Sequence, residues 1–274
     1  MATSEIGRVA AYQRLSALPA FHPAAMKLLA IFGESESAIS DFEEVFKADL
    51  ALTANLLLVA NSAAFGVQRQ IDTIRHALTL LGLERVRALA FHIMLASYMR
   101  QQPDDAVRPI WSHSVATAVV SEILGGIYNI PGMYTVGLMH DLGRLGLLMS
   151  VGQRYRQAMA KEVGDLNEAI KLEAALCGMD HCDAGAMLAH TWGLPATLQV
   201  AMVEHHGNWP INSKSRIALV QTACRIADWL GFPEVKCADL GMPPPLPEHV
   251  VESGQLDPAR VVDLIKKQTA SLGF

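Results

Sequence analysis

Seven side chains carry most of the chemistry available to this chain: His113, His140, Asp141, His181, His205, His206 and Asp228. Several stand where a helix ordinarily places an apolar residue. His113 shares a helical face with Ile110, Val120 and Leu124 in PIWSHSVATAVVSEILGG, and Asp228 shares one with Ile217, Val220 and Cys224 in RIALVQTACRIADWLG. Burying a polar group without a partner costs roughly 2–7 kcal/mol, and a charge costs more. A lone histidine on such a face is ordinarily a hydrogen-bonded core residue. Adjacent pairs are another matter: His140-Asp141 lies in GLMHDLGRLG and His205-His206 in MVEHHG. Imidazole nitrogen plus carboxylate oxygen is a common ligand mixture for zinc, manganese or iron. One or two divalent ions (Fe, Mn or Zn) would partner the set at once, so all seven are candidate metal ligands.

The elements that must position them are helices. Apolar residues recur at three and four, alternating β-type runs are absent, and Ala, Leu and Met are plentiful. The expected fold is all-α, in two helical halves joined near Gln101–Asp105. Residues 1–100 make the first half, 101–232 a metal-binding half, and 233–274 a Pro-rich spacer (MPPPLP) with a terminal helix that packs back or mediates association into a homodimer. In the first half, helices are expected at 22–33, from Ser37 or Ser40 to Lys47, at 50–61, at 72–82 and at 84–99. The helix at 50–61 is nearly all apolar and should be buried on most faces. In the second half the His113 helix should stop at Gly125-Gly126, and a short helix should carry His140-Asp141. Gly137 and Gly143 beside that pair would let neighbouring helices approach closely. Asp180 is an N-cap that places His181 in a first turn, and Pro195 starts the helix ending in His205-His206. The helix at 214–230 delivers Asp228, and Asp257-Pro258 begins the terminal one.

The 274 residues are 51% hydrophobic and 18% charged, with 22 basic and 27 acidic side chains and a net charge of −5. That balance argues against nonspecific nucleic-acid binding, which needs a basic surface. Residues 38–61 read as helix, short break, helix, but Asp41, Glu43 and Glu44 on the first and the apolar second speak against a DNA contact. No stretch reaches the roughly 18 uncharged apolar residues of a membrane span, and residues 1–20 lack a secretory signal. The four cysteines (177, 182, 224 and 237) form no CxxC pair, so a reduced, cytoplasmic protein without a membrane partner is expected. A small zinc cluster of Cys177, His181 and Cys182 lacks an evident fourth ligand. There is no GxSxG and no Walker-type phosphate loop. His22, His76, His92, His190 and His249 read as ordinary residues.

The order His113, His140-Asp141, Asp228 resembles the H…HD…D signature of the HD superfamily of metal-dependent phosphohydrolases. His181 and His205-His206 extend it to the longer set of the HD-GYP branch, whose members use paired metals to cut cyclic dinucleotides. Along the first half, LPAFHPAAMKLLAIF, KADLALTANLLLVANSAAFG and IDTIRHALTLLGLERVRAL resemble the N-terminal half of the HDOD (HD-related output domain) family of bacterial signalling. WSHS, GLMHDLGRLGLL, LEAALCGMDHCDAGAMLAHTWGLP and EHH continue that match, which covers roughly residues 12–230.

The resemblance implies a signalling module rather than a demonstrated enzyme, working through partner proteins or a bound nucleotide, in a family that often loses its metal ligands. This chain keeps a residue at every position of the longer signature. By analogy one metal would take His113, His140, Asp141 and Asp228. A second would take His181, His205 and His206, with Asp141 bridging. Arg144 stands where HD-GYP relatives have a lysine and could hold a phosphate oxygen; as a bare residue it reads equally well as a surface arginine. After His206 the chain reads GNWPINSKS, without the Gly-Tyr-Pro element, which argues against cyclic di-GMP hydrolysis. The alternative function is a metal-dependent phosphohydrolase acting on nucleotides or other phosphate esters. No receiver or sensor domain is evident, so input is expected through binding or association.

Overall fold

Helices account for the regular structure of the chain in a computed structural model that describes residues 2–18, 27, 31, 39–61, 70–99, 104–207, 215–240 and 245–270. Among the described residues the only β feature is an isolated bridge between Val163 and Cys237. The chain divides into a smaller unit, Ala20–Tyr98, and a larger one made of Met1–Pro19 with Met99–Phe274. The first nineteen residues thus belong with the larger unit, whereas the sequence reading groups them with the rest of 1–100.

The smaller unit contains α2 (Ile39–Lys47), α3 (Leu50–Ala60), α4 (Ile74–Leu81) and α5 (Leu83–Met99, whose last residue falls in the larger unit). Phe42, Val45 and Phe46 bury one stripe of α2, with α2, α3 and α4 packed on one another. On α3 the buried stripe is Leu52, Leu56 and Ala60, while Leu58 is 70% exposed. The expectation that α3 is covered on most faces is therefore corrected: one stripe is covered, and composition alone does not say how many neighbours a helix has. Thr73 caps α4 by accepting from the His76 amide, which sets its start two residues after the predicted one. The helix expected at 22–33 lies mostly outside the described residues, as does much of the MPPPLP spacer.

In the larger unit α1 (Ala2–Ser16) packs on α8 (Leu142–Val151) and α11 (His181–Thr191). The central element is α6 (Asp104–Tyr128), against which lie α7 (Met133–Met139), α13 (Arg216–Trp229) and the terminal α15 (Pro258–Ala270). Between them come α9 (Gln153–Met159), α10 (Leu166–Cys177), α12 (Ala196–Glu204) and the short α14 (Glu248–Glu252). The stretch Val107–Tyr128 has the length and apolar composition of a membrane span, with a mean hydropathy of 1.2, yet 72% of its apolar window is buried inside the protein. That is the pattern of a core helix.

Two features of the larger unit depart further from expectation. α6 runs through Gly125-Gly126 to Tyr128, because Gly125 lies inside a crowded helix contact: a Cβ there would sit 2.7 Å from the Ile130 carbonyl oxygen and from Met133 Cγ. The second concerns His140-Asp141, which lies in the break between α7 and α8 rather than within a helix. Glycines flank that break at contact points. A Cβ on Gly137 would come within 2.6 Å of Ser121 Oγ, and one on Gly143 within 1.8 Å of the His181 carbonyl oxygen. Small residues here bring α6 and α11 against the break from two sides.

Candidate metal centre

Asp141 occupies the N-cap position of α8, where an aspartate normally accepts a hydrogen bond from the first turn. Its carboxylate makes no capping bond. It turns inward, with a side chain 1% exposed, into a ring of imidazoles. Oδ1 lies 3.3 Å from His181 Nε2 and 3.2 Å from His205 Nε2. Oδ2 lies 3.1 Å from His140 Nε2 and 3.7 Å from His113 Nε2. Each carboxylate oxygen thus faces a different pair of histidines.

The opposite ring nitrogens settle what those Nε2 atoms can be. His140 Nδ1 is 2.7 Å from the Gly137 carbonyl, and His205 Nδ1 is 3.0 Å from that of Met202. His113 Nδ1 is 2.9 Å from the Phe232 carbonyl, and His181 Nδ1 bonds the Glu173 carboxylate. Each of those partners is an acceptor, so each Nδ1 carries the hydrogen and a neutral ring presents a bare lone pair at Nε2. In their neutral forms the four rings therefore aim four lone pairs at a carboxylate that is itself only an acceptor, an arrangement that needs either protons or a cation between them. His140 Nε2 and Asp141 Oδ1 are buried and make no hydrogen bond. A cation answers such a set, and outer-sphere bonds of this kind are what fix metal-ligating histidines.

The spacing agrees. Nitrogen and oxygen donors sharing one ion at about 2.0–2.2 Å in tetrahedral directions lie about 3.3–3.6 Å apart. His181 Nε2 and His205 Nε2 are 3.3 Å apart, and His206 Nε2 is 2.8 Å from His181 Nε2, closer as higher coordination numbers allow. The residues present fit a divalent metal.

Protonation alone serves the cluster unevenly. Burial disfavours charge on His140, but the Asp141 carboxylate outweighs it and pushes the pKa up to about 10. At His205 burial wins and pulls it down to about 4. Asp141 itself is held well below the carboxylate range, its desolvation overcome by His140, His205 and His181.

Sequence reasoning missed a supporting layer. Glu173 is fully buried on α10, in line with Ala169 and Cys177 at four-residue spacing. It bonds His181 Nδ1, accepts from Tyr155 Oη at 2.7 Å, and lies 3.5 Å from Arg144. A charge in an apolar stripe was the available signal, the same one that singled out His113. Arg144 is 2% exposed, which overturns the surface reading; its Nε is 2.7 Å from Glu234 Oε2. Glu234 has no helical periodicity to betray it. It lies on a strap, residues 232–240, pinned where the Val163 amide donates to the Lys236 carbonyl and the Ala238 amide to the Val163 carbonyl.

Of the seven predicted residues, the structure gathers His140, Asp141, His181, His205 and His206 most tightly, with His113 at the edge. Asp228 is set apart: Oδ1 is 3.2 Å from His113 Nδ1, on the ring edge away from Asp141. Cys224 stands instead beside His113 Nε2, at 3.5 Å. Cys182 joins His181, His205 and His206 in a group that could hold a metal, and that group does not include Cys177.

A family model, the HDOD domain, matches residues 18–208. The chain belongs to the HDOD domain family. Among solved structures, an HDOD domain protein of unknown function from Geobacter sulfurreducens is 20% identical, with a TM-score of 0.65 over 97% of this chain and 89% of that one. A protein from Shewanella amazonensis SB2B with the provisional name of a metal-dependent phosphohydrolase is 18% identical, with a TM-score of 0.63 over 98% and 100%. One from Marinobacter aquaeolei VT8, provisionally named a signal transduction protein, is 17% identical, with a TM-score of 0.61 over 99% and 64%. At these identities the likeness carries the helical HDOD fold. An uncharacterized protein of Treponema pallidum (strain Nichols) is 24% identical over 188 residues, which are 67% of this chain but 36% of that protein's length.

Proposed function

We propose that this HDOD protein is a cytoplasmic bacterial signalling regulator whose larger unit holds one or two divalent metal ions. The observation that carries the metal reading is the convergence of four Nε2 lone pairs, tautomers fixed from behind, on the buried Asp141 carboxylate. His181, His205 and His206 with Asp141 Oδ1 would hold one ion, and His113 and His140 with Asp141 Oδ2 a second. A bound pair would supply Lewis-acid stabilisation and a water of lowered pKa. Asp141 would bridge, Glu173 and the backbone carbonyls would hold the rings in register, and the 232–240 strap would cover the centre.

The regulatory reading is favoured over turnover by space. The cavity reaching His113, Asp141, His206 and Asp228 has a volume of about 20 Å3, room for about one water. A neighbouring cavity of about 350 Å3, with Arg144 and Glu234 in its wall and Arg156 and Lys236 among its lining, is in the range of small-ligand sites. Its cationic groups suit a nucleotide; signalling partner proteins are the other expected input. The second reading, a phosphohydrolase, is favoured by the two-sided placement of Asp141, which suits paired ions. In that case Arg144 reaches phosphate only by leaving Glu234.

Metal analysis of protein purified without chelator, coupled to turnover assays on phosphomonoesters and cyclic dinucleotides, tests both. At least one equivalent of metal and no metal-dependent turnover, cyclic di-GMP included, is expected. Well under one equivalent after supply of Mn, Fe or Zn overturns the metal reading, and robust turnover replaces regulation with hydrolysis.

A further inference from the structure

The Oδ2 side of the cluster contains a group that the seven-residue signature does not. Cys224 is 3% exposed on α13, four residues before Asp228, and its Sγ is 3.5 Å from His113 Nε2. Sγ and one ring nitrogen each of His113 and His140 lie within 4.8 Å of one another. A thiol hydrogen bond does not account for this arrangement. One S–H donates once; His113 Nε2 already has the Thr117 hydroxyl at 3.4 Å, and the buried Nε2 of His140 makes no hydrogen bond. A sulfur at about 2.3 Å and a nitrogen at about 2.0 Å from a shared tetrahedral ion stand about 3.5 Å apart, which is the separation observed.

We infer that Cys224 is a thiolate ligand of the metal held by His113 and His140, and that this side of the centre selects zinc or iron over manganese. The inference rests on the metal reading above. Binding exchanges the S–H proton, released to solvent, for the metal–sulfur bond. Thiolate with two imidazoles is a softer donor set than the all-nitrogen-and-oxygen signature, and softer sets favour zinc and iron over manganese. Asp228, facing His113 Nδ1, then orients the ring instead of binding the ion.

The full-length protein, purified reduced and without chelator, is titrated with Co(II) while near-ultraviolet absorption is followed. A sulfur-to-cobalt charge-transfer band is expected in the wild type and in Cys177→Ser and Cys182→Ser, and its loss in Cys224→Ser. X-ray absorption of the cobalt-loaded wild type keeps the question open to refutation if Cys224→Ser does not fold: a sulfur scatterer is expected at about 2.3 Å. Cobalt bound with neither band nor sulfur scatterer overturns the thiolate while leaving the metal reading standing. A band lost in Cys182→Ser and kept in Cys224→Ser assigns sulfur ligation to the other side and overturns it as well. No cobalt bound overturns both.

Discussion

The two sides of Asp141 are built differently. The Oδ1 side takes His181, His205 and His206 from a stretch of 26 consecutive residues, at the start of α11 and just past α12, which pack on each other. Its nitrogens lie 2.8–3.3 Å apart. The Oδ2 side collects His113 from α6, His140 from the α7–α8 break and Cys224 from α13, across 111 positions between His113 and Cys224; His140 lies 3.1 Å from Oδ2, but His113 stands 3.7 Å from it and 3.5 Å from Cys224. A compact local motif is preorganised by a few helix contacts, whereas the dispersed side depends on the whole larger unit being assembled. The Oδ1 side should therefore bind first and hold its ion longest, and the variants below divide along that line.

Asp141→Ala should have the largest effect because it serves both sides. Both ions should be lost and the melting temperature lowered. Metal that binds only the folded protein stabilises it by about 2.7 kcal/mol at 100 times its dissociation constant. Chelator should lower the wild-type melting temperature likewise and change the variant little. Because the substitution also deletes a buried charge among buried imidazoles, metal content is the deciding measurement.

Next comes Gly143→Ala, which alters no ligand. The added methyl would fall 1.8 Å from the His181 carbonyl oxygen and 2.6 Å from the Gly185 amide nitrogen, forcing α8 and α11 apart. Overpacking of this kind costs about 1–3 kcal/mol, readable from the denaturation midpoint. The comparison predicts that the Oδ1 ion is the one weakened, since α11 carries His181.

How far the sequence shows these features follows from what each leaves behind in it. An apolar repeat marks a helix wherever the chain is periodic, so α6, α12 and α13 are legible to within a few residues, and Asp180 announces the start of α11 by capping it. Gly125 reads as a stop because its local propensity is to end helices, whereas its role is to let Ile130 and Met133, from the turn and helix that follow, pack against it. Polar residues in apolar stripes mark the site, which makes His113 and Asp228 visible. Glu234 lies on an irregular strap with no stripe to violate. Asp228 shows the limit from the other side: sequence places it near the centre but cannot say which edge of His113 it meets.

Glu173→Gln sharpens the comparison at the supporting layer. The amide keeps the volume but loses the charge that holds His181 Nδ1–H and faces Arg144. Loss of such an outer partner typically weakens metal binding by about 10–100-fold. Competition with a chelator of known affinity should show that loss at the Oδ1 side, with the Oδ2 side nearly unchanged.

The smallest effect is expected from Asp228→Asn. The resemblance makes Asp228 a direct ligand, whereas its carboxylate faces His113 Nδ1, an edge already served by the Phe232 carbonyl. An asparagine oxygen can still accept from that N–H, so ring orientation should survive and metal affinity should fall by less than in Glu173→Gln. Asp228 is also more open than its neighbours, with a side chain 15% exposed against 2% for His113, so neutralising it uncovers no buried unpaired charge. Metal titrations on Asp228→Asn and His113→Ala decide between the roles. A mild loss confined to the former makes Asp228 an orienting residue; equal losses of the Oδ2 ion in both restore it as a ligand and remove the asymmetry argued for the two sides.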